Sequence, residues 1–307
     1  MKALYDVCAP AKLNLFLHVT GRRDDGYHLL QSAFMLVDWC DTLHFERRQD
    51  GQITREDLNP APGGAPLPPN DLCVRAAHAL KQAARQQLGA DTADRLGAHI
   101  GLIKNVPTQA GMGGGSSDAA STLLALNRLW ALHLSTSQLM ALALPLGADV
   151  PFFLSGGHAW IEGIGEKITP LNLPPARFVV AKPPDGLDTA KIFSHPDLPR
   201  ASETAIISGF ASNPFGFGRN DLQVVSRQFC PGIDQGLHWL ESVGLAGRMT
   251  GSGSCVFAVL PDDSQAGIQP GGLSSDFENS APAGFRVKVC RNLVSHPLNG
   301  WAVNEIV

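Results

Sequence analysis

The sequence has little charge, and its charges nearly balance. Its 307 residues include 24 Lys and Arg against 28 Asp and Glu, which gives a formal net charge of −4. Such a chain lacks the basic surface that binds nucleic-acid phosphates or an anionic membrane. We therefore expect small-molecule partners, and neither nucleic acid nor a membrane among them.

Cysteine pairs and long apolar runs are also missing. The six cysteines form no CxxC pair and have no histidine at zinc-ligand spacing: Cys8, Cys40, Cys73, Cys230, Cys255 and Cys290. Free, buried thiols in a reducing compartment are the expected state. The longest apolar stretch, 139–154, is interrupted by Pro145, Asp149 and Pro151, which excludes a transmembrane helix. The first residues contain no apolar signal segment, so we expect a cytoplasmic protein.

The chain contains enough apolar sequence for two folded units. Its length suggests two domains, and its 44% of apolar residues supplies a core without disulfides or metals. Beyond residues 156–157 the pattern changes from helices to shorter strand-like runs separated by polar loops. We expect a division near 155–170 and place the domains at 1–160 and 161–307.

Residues 9–19 alternate between apolar and polar side chains. The leucines fall on one face, while Lys12 and Asn14 fall on the other. A period of two residues predicts a half-buried strand. A second extended run is expected over 27–37.

Turn and helix signals follow this strand pair. Residues 59–69 contain enough Pro and Gly to predict a loop. Helical spacing of apolar residues predicts a helix over 71–88. Ser135 with Gln138 three positions later predicts the capping box of another helix.

A glycine-rich loop over 107–115 is the most informative local feature. A short strand is expected before it, over 99–104, and a helix after it, over 116–130. Glycines let backbone N–H groups approach a ligand closely, and a helix start adds free donors and a positive dipole end. These features predict a phosphate-binding loop. The alternative is a plain glycine-rich turn in which Ser116 is the N-cap of the helix.

Two common nucleotide-binding motifs do not fit this loop. A P-loop requires a lysine directly after the glycines, and this sequence has serines there. A dinucleotide-binding fingerprint requires a third glycine at the position of Ser116. If the loop binds phosphate, it therefore belongs to another kind of phosphate site, and the plain glycine-rich turn stays open as the alternative.

Three segments, 10–17, 107–120 and 249–258, resemble in order and spacing the three signature motifs of the GHMP kinase superfamily. The resemblance implies an α+β, two-domain GHMP kinase fold. Its N-terminal domain would be ribosomal protein S5 domain 2-like and bind ATP, and its C-terminal domain would be ferredoxin-like. ATP as co-substrate and Mg²⁺ are implied as well. Composition alone allows only two α+β halves.

Two further segments, 25–31 and 146–153, resemble one branch of that superfamily. Its members phosphorylate a hydroxyl of a methylerythritol unit attached to CDP, on the non-mevalonate route to isoprenoid precursors. The resemblance implies CDP-methylerythritol as substrate, Asp149 as the general base and Lys12 as its neighbour. The sequence supports a special carboxylate here, because Asp149 stands among apolar residues and an unpaired buried carboxylate is costly. A lysine partner would keep it ionised.

The same resemblance implies two sets of binding residues. The ATP-binding residues are Pro107, Thr108, Gln109, Ala110, Gly111, Met112, Gly113, Gly114, Gly115, Ser116 and Ser117. The substrate-binding residues are Asn14, Tyr27, His28, Phe34, Thr189 and Phe193. Within this second set, Tyr27 and Phe193 would stack on the cytosine and His28 would read its edge. The sequence does not indicate which residue contacts Mg²⁺, although Ser117 is a candidate.

Two other functions stay open. A related kinase would use the same phosphate loop on homoserine, mevalonate or a sugar. Tyr27, His28 and Phe193 argue against it, because those substrates need no nucleobase pocket. A non-catalytic nucleotide sensor would have no use for a base, so Lys12 and Asp149 argue against that function.

Some features depart from the family pattern or have no assigned role. Asp71 stands where an Asn is expected near the adenine, so the purine contacts are not predicted. The stretches 202–218 and 261–283 have the composition of long loops. Residues 219–222 resemble a family segment without a known chemical role, and no oligomeric state is indicated.

Overall fold

The computed structural model describes residues 1–59, 66–261, 277 and 279–303. Within them the chain forms two β-sheets with helices packed against them. The strands of the first sheet are β1 Ala3–Arg22, β2 His28–Arg48, β3 Ile53–Asp57, β4 Gly97–Ile103, β5 His158–Gly163 and β6 Lys167–Leu171. The strands of the second sheet are β7 Arg177–Lys182, β8 Arg248–Met249, β9 Val256–Val259 and β10 Arg286–Arg291.

The helices lie between these strands along the chain. The first five are α1 Leu72–Leu88, α2 Ala90–Asp94, α3 Gly114–Leu129, α4 Thr136–Ala143 and α5 Val150–Leu154. The next four are α6 Thr189–Ser194, α7 Ile207–Ser212, α8 Gln223–Phe229 and α9 Gly232–Ser242. Of the helices the structure describes, none is both long and apolar enough to span a membrane.

Strand pairing shows where the two halves of the fold divide. The first sheet has the order β3-β4-β2-β5-β6, with β1 also paired to β2, and the second has the order β10-β7-β9-β8. The sheet changes between Leu171 and Arg177. We propose the domain boundary there, beyond the expected position at 160.

The predicted strand over 9–19 lies within β1, but it is not half-buried. Lys12 and Asn14 on its polar face are 3% and 1% exposed, as little as the leucines on the other face. The polar face is covered because the glycine-rich loop and the loop after β8 lie against it, so that part of the prediction was wrong. The second predicted strand is confirmed within the longer β2.

The helix predictions are confirmed, with one correction that matters for the site. α1 begins after Asp71, whose carboxylate accepts the amide of Val74, and α4 carries the predicted Ser135 capping box. α3, however, begins two residues earlier than predicted, inside the glycines. Its N-cap is Gly113 with φ +70°, so the alternative in which Ser116 is the N-cap was wrong.

The remaining sequence features are placed as follows. The six cysteines are free thiols: Cys8 and Cys40 are half-buried and the other four are buried. The stretch 202–218 includes α7. Most of the stretch 261–283 and part of the predicted loop over 59–69 lie outside the described residues.

Candidate active site

One large crevice is lined by the segments that carry the predicted site residues. It has a volume of about 1070 Å³ and lies between the glycine-rich loop, β1, β2, the start of α5, α6 and the loop after β8. The part of the chain that forms the first sheet and the part that forms the second both contribute residues to its walls. A space of this size, with polar groups converging on it, is typical of a ligand site.

The glycine-rich loop presents free backbone amides to this crevice. Within the described chain, no side chain caps α3. The amide of Ser117 donates to the carbonyl of Gly113 at 2.9 Å, which is the first hydrogen bond of the helix. The amides of Gly114, Gly115 and Ser116 come before it, and a helix leaves such amides without intrahelical partners. Their donors and the positive end of the helix dipole form an anion site.

The loop after β8 closes against the glycine-rich loop. The amides of Ser254 and Cys255 donate to the carbonyls of Gln109 and Ala110 at 3.3 and 3.2 Å. Gly251, Ser252 and Gly253 line the same crevice. The third sequence motif therefore forms a wall of the same crevice, supplied from the second half of the chain.

Lys12 and Asp149 lie next to this loop. The Nζ atom of Lys12 is 3.5 Å from Oδ2 of Asp149, and it also donates to Oδ1 of Asn14. The backbone amide of Lys12 donates to the carbonyl of Met112 at 2.9 Å, which joins β1 to the glycine-rich loop. A Cβ atom on Gly113 would lie 3.2 Å from Cγ of Lys12. The ammonium–carboxylate pair is thereby held beside the free amides.

Asp149 is available for chemistry and not engaged in capping. It stands directly before α5, yet its side chain makes no capping hydrogen bond. Its side chain is 33% exposed, while that of Lys12 is 4% exposed. Asp149 can therefore meet a ligand in the crevice while it keeps its contact with the buried lysine.

Lys12 is a destabilised cation. Burial lowers the pKa of its ammonium, and the Asp149 carboxylate opposes that shift. The ammonium also lies 4.4 Å from the centre of the Phe34 ring, a cation–π distance. Asn14 is fixed in turn, because its amide nitrogen donates to Ser32 Oγ at 2.9 Å.

Aromatic rings gather at the other end of the crevice. The rings of His28 and Phe193 are 5.3 Å apart at their centres and tilted by 36°. Arg200 Nε donates to His28 Nε2 at 3.4 Å, so this nitrogen acts as an acceptor. Burial, together with the positive charges of Arg22 and Arg200, lowers the pKa of His28. The imidazole is thus held neutral, with one donor left for a ligand.

Tyr27 and Thr189 complete this end of the crevice. Tyr27 is 61% exposed at the rim, where its ring is free to cover a bound ligand. The hydroxyl of Thr189 lies 2.7 Å from that of Ser252 in the loop after β8. The aromatic end and the end at the glycine-rich loop therefore belong to one continuous crevice.

The structure brings nearly all of the predicted site residues to this crevice. Only Ser117 fails to line it. Its hydroxyl is fully buried in the first turn of α3 and has no hydrogen-bond partner among the described residues. Its amide is already used within the helix, so its geometry does not suit a direct phosphate contact.

A buried ion cluster beneath the loop was not predicted from the sequence. Lys104 Nζ contacts Asp41 and lies 2.6 Å from Oδ2 of Asp118. Asp41 Oδ1 accepts the amides of Asn105 and Val106 at 2.6 and 2.7 Å, just before the loop begins. Asp118 lies just after the loop. The cluster therefore ties the entrance of the loop to its exit.

A local signal for this cluster exists in the sequence. Asp41 and Lys104 each interrupt or end an apolar strand, and buried charges in such places need partners. Burial raises the pKa of Asp118, and the carboxylates of Asp41 and Asp118 raise the pKa of Lys104 against the opposing effect of burial. The sequence does not show which charges meet, because they come from β2, the end of β4 and α3.

Comparison with known proteins agrees with this geometry. The family model of the GHMP kinases N terminal domain matches residues 71–157, and that of the GHMP kinases C terminal domain matches residues 207–270. A homoserine kinase from Cytophaga hutchinsonii superimposes with a TM-score of 0.68 at 16% identity, over 96% of both chains. At that identity the likeness shows the fold alone. The fold and the site define a phosphotransferase of the GHMP kinase type.

Proteins of higher sequence identity show which family of GHMP kinases the chain resembles. The chain is 60% identical to a 4-diphosphocytidyl-2-C-methyl-D-erythritol kinase from Albidiferax ferrireducens, over 99% of this chain and 98% of the relative. A crystal structure of 4-(cytidine 5'-diphospho)-2C-methyl-D-erythritol kinase matches with a TM-score of 0.69 at 31% identity, over 93% of this chain and 98% of that one. The chain belongs to the 4-diphosphocytidyl-2-C-methyl-D-erythritol kinase family of the GHMP kinases.

Proposed function

We propose that this kinase transfers the γ-phosphoryl group of ATP to a hydroxyl of 4-diphosphocytidyl-2-C-methyl-D-erythritol. The observation that carries the proposal is the contact of Lys12 with Asp149 beside the free amides of Gly114 and Gly115. The candidate base Asp149, the positive charge of Lys12 and the amides that could bind an anion then lie side by side. The aromatic end of the same crevice supports a nucleobase-bearing acceptor.

In this proposal ATP lies with its triphosphate over the start of α3. The amides there and the positive helix end favour the negative phosphate oxygens. Phosphoryl transfer depends mainly on positioning and on stabilising charge. Lys12 supplies a positive charge next to the transferred group and lies 3.5 Å from the Asp149 carboxylate, which it holds in place.

Asp149 would accept the proton of the acceptor hydroxyl as the new P–O bond forms, while the bond from the γ-phosphorus to the bridging oxygen breaks and ADP leaves with that oxygen. A general base must lie within hydrogen-bond reach of the proton that it removes. The partial exposure of its carboxylate toward the crevice makes that reach possible. Lys12 also donates to Asn14, which is fixed in turn by its hydrogen bond to Ser32, so the orientation of Lys12 beside Asp149 is held.

The cytosine would bind between Tyr27 and Phe193, with His28 at its edge. The ring would offer its remaining N–H to an acceptor on the pyrimidine edge, because its other nitrogen accepts from Arg200. The lowered pKa of His28 keeps the ring neutral at physiological pH.

We also propose that Mg²⁺ enters with the triphosphate. Among the described residues, no group of three or more His, Cys, Asp and Glu side chains could hold a metal ion. The residues present fit an ion that keeps most of its oxygen ligands from phosphates and water. Ser116 and Asp118 line the crevice, and Oδ1 of Asp118 has no hydrogen-bond partner within the described chain. The Ser116 hydroxyl and this Asp118 oxygen would hold Mg²⁺, and the ion would supply positive charge against the triphosphate.

The experiment compares acceptors. ATP turnover is measured with 4-diphosphocytidyl-2-C-methyl-D-erythritol, homoserine and mevalonate at equal concentrations. We expect turnover of 4-diphosphocytidyl-2-C-methyl-D-erythritol alone. The His28→Ala variant should have a higher KM for this acceptor and little change in its affinity for ATP. Faster turnover of homoserine or mevalonate would overturn the proposal. ATP binding without turnover of any acceptor would favour a nucleotide sensor.

A further inference from the structure

Residues 219–222, which the proposed mechanism does not use, hold the loop after β8 in place. Asn220 is 5% exposed. Its amide nitrogen donates to the carbonyls of Met249 and Gly251, both at 2.8 Å, and its Oδ1 accepts the amide of Leu222 at 3.0 Å. Both side-chain N–H groups are therefore used on the two sides of Thr250, inside the third motif.

The same segment is fixed to β1. The amide of Leu17 donates to the carbonyl of Arg219 at 2.9 Å, and the amide of Asp221 donates to the carbonyl of Leu17 at 2.8 Å. The buried carboxylate of Asp221 accepts the amide of Val19 at 2.8 Å. Asn220 thus stands on a segment that is pinned to the strand bearing Lys12.

The loop that Asn220 holds is tightly packed against the proposed phosphate site. A Cβ atom on Gly251 would lie 2.6 Å from the carbonyl oxygen of Gly111. Thr250 Oγ1 accepts the amide of Asn14 at 2.9 Å. A shift of this loop must therefore move either the glycine-rich loop or β1.

We propose that Asn220 is a positioning residue for ATP binding, which acts by setting the loop of residues 249–253 against the glycine-rich loop. Asn220 is not among the residues that line the crevice. Its effect passes through backbone carbonyls, and only a side chain with two N–H donors can satisfy both of them. The inference rests on the proposed ATP site and not on the identity of the acceptor.

The chain offers a matched control for the test. Asn127, near the end of α3, is 2% exposed and also bridges backbone groups: it donates to the carbonyl of Leu134 and accepts its amide, both at 3.0 Å. It lies outside the crevice. Asn220→Asp and Asn127→Asp each replace donors of a buried side chain by acceptor oxygens, so both should lower the melting temperature.

The deciding measurement is the Kd of ATP, by calorimetry without any acceptor, for wild type and both variants. We expect Asn220→Asp to raise this Kd about tenfold or more, since small misplacements at such sites are costly, and Asn127→Asp to leave it within about twofold. Steady-state kinetics should show the same rise in the KM for ATP, with the KM for the cytidine substrate unchanged. Equal effects of the two variants on ATP binding, or no effect of Asn220→Asp, would overturn the inference.

A second pair of variants keeps the test decisive if the aspartate does not fold. Asn220→Ala and Asn127→Ala remove the donors without adding negative charge, and the same comparison of Kd applies. A wild-type enzyme that binds ATP but phosphorylates no cytidine substrate would contradict the proposed function. It would leave the Kd comparison for Asn220 intact.

Discussion

Gly111 packs so closely on Thr250 that neither chain segment can move alone. A Cβ atom on Gly111 would lie 2.2 Å from the carbonyl oxygen of Thr250, and the φ angle of this glycine is +70°. Real Cβ atoms do not come so near to an oxygen. The glycine at this position is therefore required by the contact between the first and the second half of the chain, as well as by its backbone conformation.

Gly111→Ala should weaken ATP binding as well as stability. The new methyl group must push the two loops apart, and we expect the KM for ATP to rise about tenfold and the unfolding free energy to fall by at least about 2 kcal/mol. Gly244→Ala is the control: this glycine has φ +78° with open space around it. It should lose about 1–2 kcal/mol from the left-handed conformation alone. Equal ATP affinity in the two variants would contradict the packing argument.

The buried cation Lys104 should be essential for folding stability. Lys104→Met leaves the carboxylates of Asp41 and Asp118 buried without their counter-ion, so we expect a loss of about 3–5 kcal/mol in urea unfolding. Adding Asp118→Asn should restore part of that loss, because one uncompensated charge disappears. Lys167→Met, at an exposed position, should stay within about 0.5 kcal/mol of wild type. A Lys104→Met protein as stable as this control would show that the cluster is dispensable.

His158 should make the fold sensitive to mild acid. It is 5% exposed, its Nδ1 accepts the amide of Leu36 at 3.2 Å, and burial lowers its pKa to about 4. The unfolded chain binds a proton near pH 6.5. The stabilisation is therefore complete above pH 6.5 and is lost as the pH falls toward 4, at no more than about 1.4 kcal/mol per pH unit.

Unfolding free energies at pH 7 and pH 5 check this pH dependence. His158→Asn keeps an acceptor for the Leu36 amide but does not titrate, so its stability should change less between the two pH values than that of wild type. His133→Asn, at an exposed position, should behave as wild type does. An unchanged pH dependence in His158→Asn would exclude His158 as the source.

Local patterns were sufficient to predict the elements that carry the site. The alternation around Lys12 predicted a strand, and the glycines over 107–115 predicted a phosphate loop at a helix start. Each signal depends on neighbours in sequence. The role of Asp149 came only from the resemblance of its segment to known kinases, since one acidic residue among apolar ones does not define a base.

Long-range contacts could not be predicted in this way. Nothing near Lys12 in sequence indicates that Thr250 and its loop cover the polar face of the strand. The cluster around Lys104 joins three elements, and the bonds of Asn220 reach 29 and 31 positions along the chain. Such pairings depend on the packing of the two sheets, which periodicity does not encode.

The central claim is that Asp149, held by Lys12, is the base of the phosphoryl transfer. Asp149→Asn keeps the shape of the side chain and removes its ability to take a proton. Asp197→Asn, which changes an exposed carboxylate, is the matched control. Both variants are purified, and kcat with 4-diphosphocytidyl-2-C-methyl-D-erythritol is measured beside the Kd of ATP. We predict that Asp149→Asn lowers kcat about 10²–10⁴-fold with the Kd of ATP within about twofold of wild type; a kcat near that of wild type would contradict the account.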